Sequence, residues 1–529
     1  INGGRQDYRL AVGALATGST NNASHDGSAT GTAAKTGQTF TFVGSGDYHL
    51  SPSDTAALGY GADLSADATF TLTTDIDGNT YTAPWPIGAD TVATASNTVA
   101  LTAPATGRIY QSVSGVANIS VTGTYTGSLT ALKARVVQHD TSTPVAGFDW
   151  ATVVASPSGN AFSFTLSGVP KGAGWYSIQV QDTVDAAITT TGEKVGVGEL
   201  IGCAGQSNMG RFLKPGADSV SDLVRAYGND EYGGATVGWR TLSGPGPAAL
   251  GDALVTAYNC PVGIVNGHMD GTAIISWAGA GHPASAIFAA VGGKLAAIIF
   301  VQGEADWNGT NYATYLAGLG TTVTDGFRTP LGQSNLPIII AALGRYTSGS
   351  GSDTTTYEHV KRAQYDYVGA TANTYIVDRI DCTLADGLHL DGPGSAKLGA
   401  RLAQAFKVHL GTATQYRGPS IAAVNKVNST TFNAILSHRL GSDITPATQI
   451  TGFKATDPGA GGAAITVTSA LRQSATVVQL VLASAPVGLP VISYASGATP
   501  VITAMARDNS ALALPIEWAE GITAVEKTA

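Results

Sequence analysis

Five short apolar runs, none with the alternation of a half-exposed strand, limit what this chain can fold into more than any other feature. They are VGELIGC (197–203), VGIVN (262–266), AAIIFVQ (296–302), PIIIAAL (337–343) and TYIVD (374–378). A strand that is apolar throughout must be covered on both faces, and the intervals between these runs leave room for crossover helices. Together they predict a parallel α/β sheet over 197–412. A closing helix is legible after the last run. Asp391 stands as N-cap, Pro393 lies in the first turn, and Leu398, Leu402 and Phe406 recur at every fourth residue to give a core-facing stripe.

On either side of this segment the period is two. Over 91–196, Ile119 and Val121 flank Ser120, Phe162 and Phe164 flank Ser163, and Tyr176, Ile178 and Val180 alternate with polar residues. Strands of this kind, separated by Gly/Pro/Ser turns, predict a β-sandwich, read as a spacer. Alternation returns over 413–529 (Ile465 and Val467; Val478, Leu480 and Leu482), which predicts a second, small β domain. Residues 1–90 are rich in Gly, Ala, Ser and Thr, with short pieces such as TFTFVG (39–44), and read as irregular β structure. DIDGN (75–79) starts like a calcium loop, but the sixth place is Thr80 instead of Gly and the twelfth is Pro86 instead of Glu, so the EF-hand is excluded.

A length of 529 residues accommodates four such units. The 67 glycines are nearly twice the ~7 % average, and the 12 % charged residues about half the usual share, a bias toward strands and tight backbone contacts. Net charge is −9 with no Lys/Arg-rich block, which argues against a nucleic-acid or anionic-membrane partner. No apolar run approaches the ~18 residues of a membrane span, and no signal-peptide order opens the chain. The start at Ile1 leads us to expect a processed product or fragment with something removed upstream. Cys203, Cys260 and Cys382 are too few and scattered for a disulfide framework or a zinc site and are expected to be buried thiols.

Functional groups of an open parallel sheet gather at the carboxyl ends of its strands. Four Gly-flanked polar segments follow the apolar runs: GQSNMG (205–210), NGHMDGT (266–272), QGEADW (302–307) and DGLHLDGPG (386–394). This pattern makes sense if Ser207 is a nucleophile. A serine hydroxyl needs a base to take its proton, and His389 is the candidate; Asp386, three residues earlier, is placed to fix the other imidazole nitrogen. The amides of Ser207 and Gly271 and the side-chain amide of Gln302 are the candidate donors to a tetrahedral oxyanion. Asp386 and His389 as metal ligands is the weaker reading, because no further His/Asp cluster accompanies them. His268 reads as a hydrogen-bonded loop residue. Glu304 and Asp306 either assist substrate binding or tie loops together, and Trp277 and Trp307 either line a sugar site or pack.

These segments resemble the ordered blocks of the SGNH hydrolase superfamily, and specifically of its sialate O-acetylesterase-like carbohydrate esterases. Ala305 stands where that family often has Ser, and Asp270-Gly271-Thr272 replaces Gly-Gly-Thr. The resemblance implies a flavodoxin-like three-layer α/β/α domain over 197–412, flanked by β-sandwich-type domains; its coverage runs from about 110 to 410, and 493–515 looks like the family's trailing β domain. It assigns Ser207, Asp386 and His389 as the triad and Gly271 and Gln302 as oxyanion helpers, and implies removal of O-acetyl groups from a carbohydrate with no metal or organic cofactor. DYHLSPSDTAALGYGADLS (47–65) with TDIDGNTY (74–81) resembles the closing segment of right-handed parallel β-helix proteins. Beside an esterase, it leads us to expect a phage tailspike or tail fibre, extracellular or virion-associated and trimeric, acting on an acetylated bacterial surface polysaccharide. A secreted or cell-surface bacterial esterase, or a glycan-binding structural protein without turnover, are the rival readings.

Overall fold

The computed structural model describes Ala23 and residues 37–44, 47–51, 53–66, 73–75, 78–87, 97–230, 238–347 and 354–526. They fall into two compact units. In the first (Ile1–Val99 with Tyr125–Thr130 and Ser158–Asn160), Phe42–Gly44 pairs antiparallel with Asp47–Leu50. Tyr81 and Trp85 stack at 4.7 Å between ring centroids, and the Asp75 carboxylate closes a turn by accepting from the Asn79 amide at 2.7 Å. This strand pair is antiparallel, unlike the ladders of a parallel β-helix. Of the two stretches that carry that expectation, 47–65 and 74–81, only Pro52, Ile76 and Asp77 lie outside the described residues.

The second unit begins with antiparallel pairing. Val116–Thr126 buries every second residue and pairs with Ala161–Pro170. A second ladder joins Leu132–Gln138 to Ala151–Val154 and Tyr176–Asp182. The next strand, β1 (Thr189–Gly205), belongs to two systems. Its first residues pair antiparallel with Tyr176–Asp182, and its last pair in parallel within the sheet that follows. Burial changes with the partner: 189–194 are half-buried or exposed and 195–205 are all buried. The boundary expected at 196/197 is therefore a change of pairing within one continuous strand, with no linker.

The parallel sheet adds β2 (Val224–Gly228), β3 (Arg240–Thr241), β4 (Val262–Asn266), β5 (Ala297–Val301), β6 (Ile338–Ala341) and β7 (Thr374–Val377), in the order β3-β2-β4-β1-β5-β6-β7. All neighbours are parallel except β3, which runs against β2. The five apolar runs supply β1 and β4 to β7. The edge pair was not legible, because Arg225 interrupts β2; its guanidinium is accommodated by Asp222 and by the face of Trp175.

Helices cover both faces. On one side α1 (Ser207–Phe212), α2 (Pro245–Tyr258) and α6 (Gly392–His409) bury Met209, Phe212, Leu254, Leu398, Leu402 and Phe406 against Ile201 and Cys203. On the other, α3 (Ser285–Ala290), α4 (Tyr312–Thr321) and α5 (Thr354–Ala370) bury Phe288, Tyr315, Leu319 and Val360 against Leu200 and Ala204. The alternating faces of β1 thus feed two cores. The α6 start is as expected: Asp391 accepts from the Gly394 amide at 2.7 Å, with Pro393 in the first turn. Strand order reverses at β1, so its carboxyl end is the switch point where a crevice opens. Downstream, one antiparallel sheet (Ser420–Lys426, Thr431–Ser437, Val477–Leu482, Val467–Ser474) and a second (Ala463–Ile465, Phe453–Asp457, Val491–Tyr494, Ala519–Thr523) share a core including Phe432, Leu480, Ile492 and Tyr494. Among the described residues no helix is long and apolar enough to cross a membrane.

Candidate active site

β1 ends at Gly205, where φ is +120° and a Cβ would lie 2.0 Å from the Val301 carbonyl oxygen. Only glycine lets β1 and β5 close this tightly before the chain turns. The Gln206 amide then donates to Val301 O at 2.9 Å, and its side-chain oxygen accepts from the Ala305 amide at 3.0 Å. The loops after β1 and β5 are thereby locked together, and Ser207 emerges at the first position of α1, half-buried.

Asp386 and His389 stand on the loop between β7 and α6. The loop is a small hairpin: Leu384 bridges Leu390, the Ala385 amide donates to the His389 carbonyl at 2.8 Å, and Gly387 turns the chain at φ +84°. Asp386 Oδ1 accepts from the amides of Leu388 (3.0 Å) and His389 (2.8 Å), while Oδ2 faces His389 Nδ1 at 2.7 Å. His389 Nε2 lies 3.0 Å from Ser207 Oγ. A carboxylate facing Nδ1 can only accept, so the proton belongs on Nδ1 and the Nε2 lone pair faces the serine hydroxyl. Partial burial acts to raise the Asp386 pKa, but the imidazole and the two amides prevail and hold it down to about 2. The arrangement provides a hydroxyl, a base able to take its proton and a carboxylate fixing the tautomer. Beside it opens a cleft of about 540 Å³ lined by Arg211, Lys214, Pro245, Asp386, His389 and Ser395, among others.

The loop after β4 runs alongside: the amides of Gly267 and Met269 donate to the carbonyls of Cys203 and Gly205, each at 2.9 Å. Gly271 lies further along it, exposed, at φ +68°, with no atom within 4 Å of where a Cβ would point.

Residues 239–408 match the family model of carbohydrate esterases described as sialic acid-specific acetylesterases. This stretch is a carbohydrate esterase domain. Gly271, Gln302, Asp386 and His389 lie within the match, and Ser207 precedes it. Among solved structures, the chain is similar to a carbohydrate acetylesterase from Xanthomonas citri, with 18 % identity over 79 % of this chain and 99 % of that one and a TM-score of 0.56, so the fold is shared. A protein from Arabidopsis thaliana matches with 21 % identity over 40 % of this chain and 99 % of its own, at a TM-score of 0.33. A family 2 carbohydrate esterase with a carbohydrate-binding domain from Corynascus thermopiles matches with 13 % identity over 59 % and 100 %, at 0.30. No curated protein matches the chain.

Other residues singled out in the sequence take different places in the esterase domain. Gln302 is fully buried: its Nε2 donates to Asp306 and to the Thr272 carbonyl (3.1 Å), and its Oε1 accepts from Tyr315 at 2.7 Å. With its amide engaged inside the protein, Gln302 braces the loops from below and is not aimed at an oxyanion. Glu304 is not a substrate-facing carboxylate either. It is 5 % exposed and pairs with the buried Arg379 guanidinium. Burial alone pushes its pKa up, but Arg379 and a hydrogen bond from Asn208 bring it below the usual value. Asp306, also buried, ties loops together by accepting from the Ile274 amide at 2.8 Å and from Thr310 at 3.2 Å.

Trp277 lies at 0 % exposure, edge-on to Phe300 and Phe327, and packs in the core instead of lining a sugar site. Trp307 is half-buried against Tyr346, ring centroids 5.3 Å apart, and the adjacent Thr347 amide holds the Gly387 carbonyl of the hairpin at 2.7 Å. His268 is buried with Nδ1 2.9 Å from Asn266 Oδ1, as a loop residue. The three cysteines are buried free thiols, and burial pushes Cys260 and Cys382 up to about 12. Among the described residues no three His, Cys, Asp or Glu side chains gather to hold a metal ion. Sequence reasoning missed Arg379, Gln206 and Asn208. Arg379 sits outside every motif, and no local spacing points to it.

Proposed function

We propose that this chain is a serine esterase of the SGNH type that removes O-acetyl groups from a carbohydrate polymer. The observation carrying the reading is the continuous relay from Asp386 through His389 to Ser207, at 2.7 and 3.0 Å. Ser207 Oγ attacks the acetyl carbonyl carbon as its proton passes to His389 Nε2. The oxyanion is met by backbone amides, those of Ser207 and Gly271. The intermediate then collapses. The sugar oxygen leaves with the proton from His389, and a water deprotonated by the same imidazole releases acetate from acetyl-Ser207.

The polymer we assign is an acetylated bacterial surface polysaccharide, and the setting a trimeric phage tailspike or tail fibre, extracellular or virion-associated. This rests on the several β-rich units around the esterase domain, the low charge, and the resemblance of the 47–65 and 74–81 sequences to the closing segment of β-helix proteins. Ser207→Ala tests the chemistry. It should lower p-nitrophenyl acetate hydrolysis and acetate release from acetylated polysaccharide by about 10⁶-fold, and equal rates in both proteins would overturn the reading. Detection of the chain in purified virions tests the setting.

A further inference from the structure

His389 poses a positional problem that Asp386 does not solve. Both stand on one hairpin, so Asp386 fixes the ring within the loop but not the loop relative to Ser207. Asn208, the residue after Ser207, supplies the missing tie. It is fully buried, its Oδ1 accepts from the Leu390 amide at 2.9 Å, and its Nδ2 donates to the Leu388 carbonyl at 3.2 Å. One side-chain amide thus grips the backbone on both sides of His389, from the helix that carries the nucleophile.

The other Nδ2 hydrogen goes to Glu304 Oε1 at 2.6 Å, and Arg379 holds that carboxylate while donating from Nε to the Ala342 carbonyl at 2.7 Å. A carboxylate and a carbonyl only accept, and a backbone N–H only donates, so the amide has one satisfying orientation. Flipped, it would set its oxygen against two acceptors and its NH₂ against a donor. In a buried setting such mismatches are severe. We propose that Asn208 is a positioning residue that holds His389 against Ser207, and that the buried Glu304–Arg379 pair keys its amide into the gripping orientation. The proposal rests on the esterase reading given above. Nothing in it requires contact between Asn208 and substrate.

The test uses the full chain, p-nitrophenyl acetate, thermal unfolding and the variants N208A, N208D and H389A, with S207A as control. Loss of the grip lets the imidazole drift, and a misplacement of ~1 Å costs about 10²-fold. N208A should therefore lower kcat about 100-fold with KM within about twofold. On the H389A background it should leave the residual rate within about twofold, because there is no imidazole left to place. N208D keeps an acceptor for Leu390 but sets a carboxylate against Glu304 and the Leu388 carbonyl, and should lose at least as much kcat as N208A.

Three results would overturn the inference: N208A with kcat within threefold of wild type, an equal N208A effect with and without His389, as a merely structural role gives, or N208D as fast as wild type, which removes the Glu304–Arg379 part. Should N208A unfold early, the ratio of its effects in the two backgrounds still decides. An active S207A would sink the esterase reading instead, so the two failures are told apart.

Discussion

The hairpin that carries Asp386 and His389 and the floor beneath it are built in opposite ways. On the hairpin the Asp386 side chain is 57 % exposed and that of His389 22 %, and the contacts that shape it are between residues a few positions apart. In the floor, Asn208, Gln302, Glu304, Asp306 and Arg379 are all buried, and although Asp306 meets Gln302 and Thr310 four positions away, the ties that join separate loops span tens to nearly two hundred positions. The reacting groups stay within reach of a substrate, while their relative placement is set by a polar network out of water, where an unmade hydrogen bond is expensive. Substitutions on the hairpin should therefore change rate without stability, and those in the interior should change stability, with a loss of rate as well where, as at Asn208, the side chain grips the hairpin.

The largest expected break in that contrast is Asp386→Asn. The Asn oxygen still accepts from the Leu388 and His389 amides, so the hairpin survives and unfolding free energy should stay within about 0.5 kcal/mol. Its NH₂, however, faces His389 Nδ1 and selects the tautomer whose Nε2 carries the proton toward Ser207. By analogy with other serine triads kcat should fall about 10⁴-fold. Steady-state kinetics and urea unfolding on the same preparation check both halves, and a comparable loss of stability would erase the distinction.

The two tryptophans sharpen it at a smaller scale. Trp277→Ala removes a fully buried indole and should cost about 3–5 kcal/mol of unfolding free energy. Trp307, half-buried against Tyr346, should cost about 1 kcal/mol on truncation. Its effect should appear in KM for acetylated oligosaccharide, raised about threefold to tenfold, the ~0.5–1.5 kcal/mol of one aromatic contact. A large stability loss at Trp307 would make it a second core residue.

The same division explains what could be read from the sequence. Ser207, Asp386 and His389 stood out because each lies in a Gly-flanked segment after an apolar run, and local spacing brings Asp386 to His389. The five apolar runs became strands because burial on both faces needs unbroken hydrophobicity. Glu304, Asp306 and Gln302 are as polar as Asp386 in sequence, and no local signal says that they point inward; that depends on Arg379, Tyr315 and Thr272 arriving from elsewhere in the fold. Trp277 and Trp307 were equally ambiguous, since an indole serves a core or a sugar face. The edge strand β2 was lost because Arg225 breaks its apolar pattern, and the cation is accommodated by Asp222, by the face of Trp175 and by the Val224 carbonyl.

The smallest effect lies in acid. Asp386 is held at about 2 in the folded chain, against an ordinary value near 3.8. A carboxylate with a depressed folded pKa contributes stability that is fully present above its unfolded pKa and is lost as pH falls through the folded one. The window is therefore about pH 4 down to about pH 2. Because the side chain is more than half exposed, solvent screening keeps the contribution small. Wild type and Asp386→Asn should differ by a constant amount in urea midpoint above pH 5, and the difference should shrink on acidification toward pH 2. A difference that instead grows below pH 4 would mean that folding raises the Asp386 pKa, and that the imidazole and the two amides do not prevail over burial.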